Sequence, residues 1–539
     1  MNIVEWADRP KKRYGMVVDV NRCVGCHTCT ISCKHANDTM PEVQWRSVLD
    51  VEKGEYPNVE RFFLVVGCQH CNEPPCVPVC PTGATYQRDD GLVVMDYDLC
   101  IGCGYCAVAC PYQARTLAHE MKFYYGKATI QEAHAAHPER IGVAQKCTFC
   151  IDRVDEAEER GLTPGVDLEV TPACSASCIA KAIRFGDFAD PSSEVSRLVA
   201  ERASFQINDF LGTDPQIKYL YEVPDSIPGR AESEPADEEL RDHNNPLAGP
   251  LQEFWDYRAA MNFIMGGMGS GFLAILSLLA LLGILPLTTL SSVAPVGGIA
   301  IAIGLFFVFL EIGRKLRALN VMLRPGTSWM TREVYAVLVL YPALAWVWWA
   351  ASIPGTAILG LAAAAFLFCQ ARILYAGKGI PAWRAPLIPW MICVTGVCEG
   401  SGLALLATNL LPAKVAAGAL MLAGTIAALI MIGLWSVYTR DAKSNRIPPL
   451  ARDVLDAFTP LYIAGLSAAV VALVFGYAIG SNIANIVAAI LLIGCGALWK
   501  FTVITRASYQ QGFVLPKVPQ RGSGTFAAPH RKGMAKVPA

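Results

Sequence analysis

The sequence carries almost no net charge: 45 Lys and Arg stand against 46 Asp and Glu, a formal charge of -1 over 539 residues. A protein that holds a nucleic-acid backbone by charge needs a basic surplus, so nucleic acid is not an expected partner. The first residues include Lys11, Lys12 and Arg13, but no apolar run follows them. They are read neither as a secretion signal nor as a twin-arginine leader. Histidine is scarce, and His27, His35, His70, His119, His134, His137, His243 and His530 all lie outside the long apolar segments. Paired histidine ligands inside those segments are lacking, so no haem is expected there. Charge is also unevenly spread. Residues 1–257 are charged and cysteine-rich, whereas 258–506 are mostly apolar.

What the first half has in abundance is cysteine. Sixteen of the chain's 20 cysteines lie between Cys23 and Cys178, in four groups. The first is Cys23, Cys26, Cys29 and Cys33, and the second is Cys68, Cys71, Cys76 and Cys80. The third is Cys100, Cys103, Cys106 and Cys110, and the fourth is Cys147, Cys150, Cys174 and Cys178. Groups one and three have the C-x2-C-x2-C-x3-C spacing of bacterial [4Fe–4S] ferredoxins. Three closely spaced thiolates wrap one cubane, and the fourth starts a helix that leads to a neighbouring cluster. That rule pairs Cys68, Cys71 and Cys76 with Cys110, and Cys100, Cys103 and Cys106 with Cys80. It also pairs Cys23, Cys26 and Cys29 with Cys178, and Cys147, Cys150 and Cys174 with Cys33. Zinc is the alternative, but it usually takes two separated CxxC pairs. Disulfides would imply an oxidising compartment. Four [4Fe–4S] clusters are the expectation.

Met16–Tyr97 contains an internal echo. Met16 to Val20 reads as a strand entering the first cysteine loop, and Val93 to Tyr97 as one entering the third; Asp19 and Asp96 each precede the first cysteine by four residues. A duplicated α+β ferredoxin-like unit is the expected fold. Arg61 to Val66 reads as a further strand. His119, His134 and His137 lie in the insert from Tyr112 to Gln145 and are read as surface residues.

The four groups, together with Lys146 to Arg153, Pro172-Ala173-Cys174, Arg184 to Asp187 and Leu211 to Pro215, resemble the iron–sulfur subunits of the dimethyl sulfoxide reductase, polysulfide reductase and formate dehydrogenase-N group over residues 13–223. Ile179 departs from the proline often found after the last cysteine of that family. Residues 224–257 form an acidic, proline-bearing stretch read as a solvated linker.

Eight apolar segments then follow, at about 263–285, 293–310, 334–351, 355–371, 385–406, 415–437, 461–479 and 483–504. Each is long enough to cross roughly 30 Å of hydrocarbon as a helix. The fold class is thus an α+β ferredoxin-like duplicated four-[4Fe–4S] domain followed by an all-α eight-helix transmembrane bundle and a tail, 507–539. Alternate loops hold Arg314, Lys315, Arg317, Arg324, Arg332, Arg372, Lys378, Arg384, Arg440, Lys443, Arg446 and Arg452, while the opposite loops hold only Lys414. The positive-inside rule puts the cluster domain and both termini in the cytoplasm of a bacterial or archaeal inner membrane.

Glu311 to Arg314, Leu323 to Glu333 and Gln370 to Tyr375 resemble the eight-helix anchor subunit of dimethyl sulfoxide reductase and its polysulfide reductase-type relatives. The resemblance implies a fusion of electron-transfer and anchor subunits, a quinone as exchangeable carrier, and a separate molybdenum- or tungsten-pterin catalytic subunit. A cytoplasmic active site would suit a CoA thioester or sulfite. Candidate quinone contacts are Asn262, Glu311, Arg314, Trp329, Arg332, Glu333, Arg372 and Tyr375, with docking of the cluster domain as the alternative for Arg314, Arg324 and Arg332. Glu399 lies past the middle of the fifth segment, where a carboxylate serves either a proton path or a hydrogen bond to a neighbouring helix. Cys369, Cys393, Cys398 and Cys495 read as apolar fillers. Two other readings stay open: an ion-translocating module of a respiratory complex, and a membrane redox sensor.

Overall fold

The computed structural model describes residues 12–55, 58–221, 237–410 and 416–515. Lys11, Lys414, residues 222–236 of the expected linker and 516–539 of the expected tail lie outside the described residues.

The cluster domain is α+β. Its central strand, β1 (Tyr14–Asp19), is buried along its whole length. Strands β2 (Arg46–Glu55) and β3 (Asn58–Gly67) form a long hairpin, and β4 (Thr85–Gln87) pairs with β5 (Val93–Met95). Short β6 (Thr116–Leu117) and β7 (Ala144–Gln145) close the base of the insert. With β8 (Ile183–Asp187), β9 (Ser204–Phe205) and β10 (Ile217–Leu220), β1 completes a sheet of order β8-β1-β10-β9, parallel only between β1 and β10. Both faces of β1 are covered, which explains its unbroken apolar run. Met16 and Val18 face the cysteine core, and Val17 packs with Val195 and Leu220 on the other side.

The echo between Asp19 and Asp96 has a mechanical basis. Asp19 Oδ1 accepts from the N–H of Asn21 at 3.1 Å and Arg22 at 3.3 Å; Asp96 Oδ1 accepts from Asp98 at 2.8 Å and Leu99 at 3.0 Å. Each carboxylate folds the turn that delivers the next cysteine. Helices α1 (Thr28–Ala36) and α2 (Tyr105–Ala109) then begin within the first and third cysteine groups. The remaining helices of this domain are α3 (Ile130–His134), α4 (Ile151–Arg160), α5 (Ala173–Ala176) and α6 (Glu194–Glu201).

Among the described residues, eight helices follow, each long and apolar enough to cross a membrane. They are α7 (Tyr257–Leu281), α8 (Leu287–Glu311), α9 (Trp329–Ala350), α10 (Ile353–Ala376), α11 (Ile388–Leu410), α12 (Ala417–Arg440), α13 (Pro449–Ile479) and α14 (Asn482–Phe501). The most enclosed is α7, which packs against α8, α10, α11 and α14. Its glycines permit this: a Cβ on Gly269 would meet Gly297 O at 2.5 Å, and one on Gly271 would strike Gly396 O. Close backbone approach of this kind drives helix association in lipid.

Several boundaries move, and two of them matter for charged residues. The seventh segment is expected from residue 461, but α13 begins at Pro449. Its first turns carry Arg452 and Asp453, which hydropathy alone reads as loop. These residues pair outward, Arg452 with Asp237 at 2.7 Å and Asp453 with Arg241 at 2.9 Å. The fourth segment extends to Ala376, so Arg372 and Tyr375 stand on the last turns of α10. The expected solvated linker also needs correction over its described part. Leu247, Gln252 and Trp255 are buried, and Gln252 Nε2 donates to Trp255 O at 2.7 Å and Ile504 O at 3.2 Å. Polar composition concealed these three anchors. The start of the tail is likewise packed: Gln511 N donates to Gly379 O at 2.7 Å, and Phe513 N to Leu247 O at 2.9 Å.

Candidate functional site

The fold gathers the sixteen cysteines into four sets, each drawn from two sequence groups. Cys23, Cys26, Cys29 and Cys178 line one small cavity. Cys33 lies in the electrostatic field of Cys147, Cys150 and Cys174. Cys71 is likewise surrounded by Cys68, Cys76 and Cys110, and Cys103 by Cys80, Cys100 and Cys106. The four sets form a row. Cys29 acts electrostatically on Cys174, Cys68 on Cys147, and Cys76 on Cys106, so each set lies within electrostatic range of the next.

These sets have the chemistry a cubane requires. Among the described residues no three His, Cys, Asp or Glu side chains converge tightly enough for a single metal ion. Backbone N–H groups point at the cysteine sulfurs: Thr85 at Cys80 (3.4 Å), Phe149 at Cys147 (3.4 Å), Ala173 at Cys150 (3.5 Å) and Ala182 at Cys178 (3.2 Å). Burial pushes the Cys71 and Cys103 thiols well above their ordinary range, and Cys174 up to about 12. Burial disfavours ionisation of these thiols, and a bound metal would supply compensating charge.

Sequence reasoning missed the buried polar residues between the sets. Arg46, Arg115 and Lys146 are all buried there. His70 is fully buried and stacks on Phe149 at 3.7 Å between centroids. Its Nδ1 accepts from Val93 N at 3.1 Å and its Nε2 lies 3.1 Å from Cys147 O, so both nitrogens are occupied. Burial holds its pKa well below the usual value, and it is a neutral structural imidazole. The insert histidines behave as surface residues: His119 and His134 are exposed, and half-buried His137 pairs with Glu139 at 2.6 Å.

The set containing Cys103 rests on the helices. Trp255 Nε1 donates to Cys103 O at 3.0 Å, and Tyr105 OH to Ile373 O at 2.8 Å. Ser328 Oγ donates to Val79 O at 2.9 Å. Arg314 clamps the insert through Ile141 O and Pro138 O, both at 2.7 Å, and Arg317 holds Tyr97 O at 2.6 Å. Arg314 is therefore a docking residue. Arg332 binds the carbonyls of Pro325 and Gly326 and lies over Trp329 at 4.3 Å. Arg372 stacks between Trp329 and Tyr375, each at 5.1 Å.

Beside Cys103 is a cavity of about 40 Å³, lined in part by Asn262, Phe263, Glu311, Met330 and Glu333. Arg314, Arg332, Arg372 and Tyr375 do not line it. Glu333 lies within hydrogen-bonding reach of the Gln370 and Asn262 side chains. Yet Asn262 Oδ1, Glu311 Oε1, Glu333 Oε1 and Gln370 Oε1 are buried acceptors without a donor. Deeper in the bundle, Glu399 is not alone. Its Oε2 pairs with Lys500 Nζ at 2.5 Å, both side chains being fully buried. Lys500 also donates to Phe263 O at 2.9 Å, while Glu399 Oε1 has no partner.

This geometry defines an iron–sulfur electron-transfer protein joined to membrane-capable helices. Residues 59–129 match the 4Fe-4S dicluster domain family. A chain of Halobacterium salinarum, provisionally named as the iron–sulfur subunit of a dimethyl sulfoxide reductase, is 37% identical over 45% of this chain and 94% of its own length. A sulfite dehydrogenase subunit of Allochromatium vinosum is 40% identical over 38% of this chain and 81% of its own. An iron–sulfur subunit of the Hdr-like menaquinol oxidoreductase of Archaeoglobus fulgidus is 36% identical over 39% and 84%. The chain belongs to this family of iron–sulfur subunits of multisubunit oxidoreductases, and it carries 4Fe–4S clusters.

Proposed function

We propose that the chain transfers electrons between a separate molybdenum- or tungsten-pterin catalytic subunit and the membrane quinone pool, through four [4Fe–4S] clusters held by the four cysteine sets. Each cluster supplies a one-electron carrier when bound. The sets would run from Cys23, Cys26, Cys29 and Cys178 at the outer end to Cys80, Cys100, Cys103 and Cys106 at the membrane.

The observation that carries the quinone reading is the cavity against Cys103, a largely apolar space into which Asn262, Glu311 and Glu333 bring polar groups. Reducing a quinone takes two electrons and two protons; oxidising a quinol returns them. Glu333 and Glu311 are the groups that would exchange protons with the ring oxygens, and Asn262 would orient the ring. Their unpartnered oxygens suit a quinol hydroxyl donor. A quinone ring exceeds 40 Å³, so binding moves Met330, whose unbranched side chain adapts readily. Arg332, Arg372 and Tyr375 would frame the edge of the site. Glu333→Gln and Asn262→Ala should each lower quinone-linked turnover at least tenfold while iron content and electron entry from the partner stay unchanged. Undiminished turnover in both variants would exclude this cavity.

The proposed orientation places the cluster domain and both ends of the helical region in the cytoplasm, supported by the twelve basic residues on the domain's side of the bundle. A second reading, ion or proton translocation, is favoured by one observation, the buried pair of Glu399 and Lys500. With no histidine in the eight apolar helices, haem plays no part in either reading.

A further inference from the structure

Three buried cations stand between the cysteine sets. Arg46 is 1% exposed, Arg115 4% and Lys146 0%. Among the described residues, none of them pairs with a carboxylate. Arg46 gives Nη2 to Met16 Sδ at 3.3 Å, and its Nε and Nη1 have no partner. Arg115 gives Nη1 to Thr85 Oγ1 at 3.1 Å and Met95 Sδ at 2.7 Å, and its Nη2 has none. Lys146 Nζ donates to the carbonyls of Val93 and, at 2.8 Å, Cys147. A buried charge without a counter-charge is strongly unfavourable. Guanidinium does not escape by losing its proton. For the two arginines the compensating charge therefore has to come from the cysteine sets themselves.

Their positions follow a pattern. Arg46 faces Cys33, Cys147 and Cys174 of the second set and Cys29 of the first. Lys146 faces Cys147 of the second and Cys68 and Cys76 of the third. Arg115 faces Cys68, Cys76 and Cys110 of the third and Cys106 of the fourth. A row of four sets has three junctions, and each junction holds one cation.

We propose that Arg46, Lys146 and Arg115 are positioning residues that set the reduction potentials along the row, each stabilising the negative charge that arrives on either side of its junction. This rests on the four-cluster reading. One electron leaves one set and reaches the next; no bond forms or breaks, and no proton moves. A thiolate-held cubane becomes more negative on reduction, and its potential responds to nearby charge in a buried setting. Fixed charge with free N–H donors raises that potential locally. Positive charge shared between neighbours also keeps both carriers reducible, so the transfer is not forced uphill at one gap.

The test is a redox titration of the full chain, purified with its partner subunits and followed by electron paramagnetic resonance. Arg115→Gln should shift the reduction equilibrium of two clusters at least tenfold towards the oxidised form, about 59 mV for a one-electron couple. The other two should stay in place, and Arg115→Lys should retain the native values. Met95→Glu puts a carboxylate beside the intact guanidinium and should produce the same shift, whereas Met95→Gln should not. If Arg115→Gln loses iron, the Met95 pair decides alone. Unchanged potentials in Met95→Glu, an equal shift of all four clusters, or a shift in Arg115→Lys as large as in Arg115→Gln overturns the proposal. A native protein without four cluster signals instead removes the four-cluster reading on which it stands.

Discussion

Lys500 and Glu399 illustrate what a single residue decides in this bundle. Their side chains are both fully buried and paired at 2.5 Å. The charges must be matched because lipid and packed helices offer no water to solvate them. Lys500→Met should destabilise the helical region by about 3–5 kcal/mol, the usual cost of stranding one member of a buried pair. Adding Glu399→Gln should recover most of that loss in thermal unfolding of the detergent-purified complex. If the pair also couples protons, Glu399→Gln alone should abolish proton uptake by proteoliposomes while quinone-linked electron transfer continues. Full uptake in that variant would leave the pair a purely structural role. The sequence exposed only half of this arrangement. Glu399 interrupts an apolar run near its middle, but Lys500 lies near the end of one, where a lysine reads as a side chain reaching for the interface. Arg46, Arg115 and Lys146 were hidden similarly, because a lone cation beside cysteine groups has no periodic pattern. The sixteen cysteines were legible because their spacing is itself the constraint.

At the scale of elements, the critical joint is where a cysteine loop, the insert and the end of α8 meet through glycine. Gly102 and Gly142 both have positive φ, and a Cβ on Gly142 would meet Gly313 O at 2.8 Å. A Cβ on Gly102 would meet Gly313 Cα at 3.2 Å. This backbone contact lets Arg314 reach the insert carbonyls. Hydropathy located the eight helices, yet it shortened α13 and α10 because their charged turns lie at the bilayer edge. The proposed orientation puts this joint on the cytoplasmic side, with the basic loops. An epitope inserted at Ser444, between α12 and α13, should be reached by antibody only after cells are opened. One inserted at Gly283, between α7 and α8, should be reached from the periplasm once the outer barrier is permeable. The reverse pattern would turn the cluster domain outward and make an exported partner necessary.

At the scale of the whole molecule, the two halves are in direct contact. The cysteine sets run in a row, the last meets α10 through Tyr105 and the segment just before α7 through Trp255, and the cavity with Asn262, Glu311 and Glu333 begins beside Cys103. No isolated half explains the other. Cysteine spacing announced the carrier and hydropathy announced the anchor. Their contact was not legible, because it depends on backbone carbonyls and on linker residues such as Gln252 and Trp255 whose surroundings look polar. The most direct measurement is metal analysis of the complex purified gently from its native membranes. About sixteen irons per chain are expected, four for each cysteine set, with molybdenum or tungsten near one atom per sixteen irons. Zinc in place of iron, or only half that iron, would contradict the four-cluster path; full iron without molybdenum or tungsten would contradict the pterin partnership.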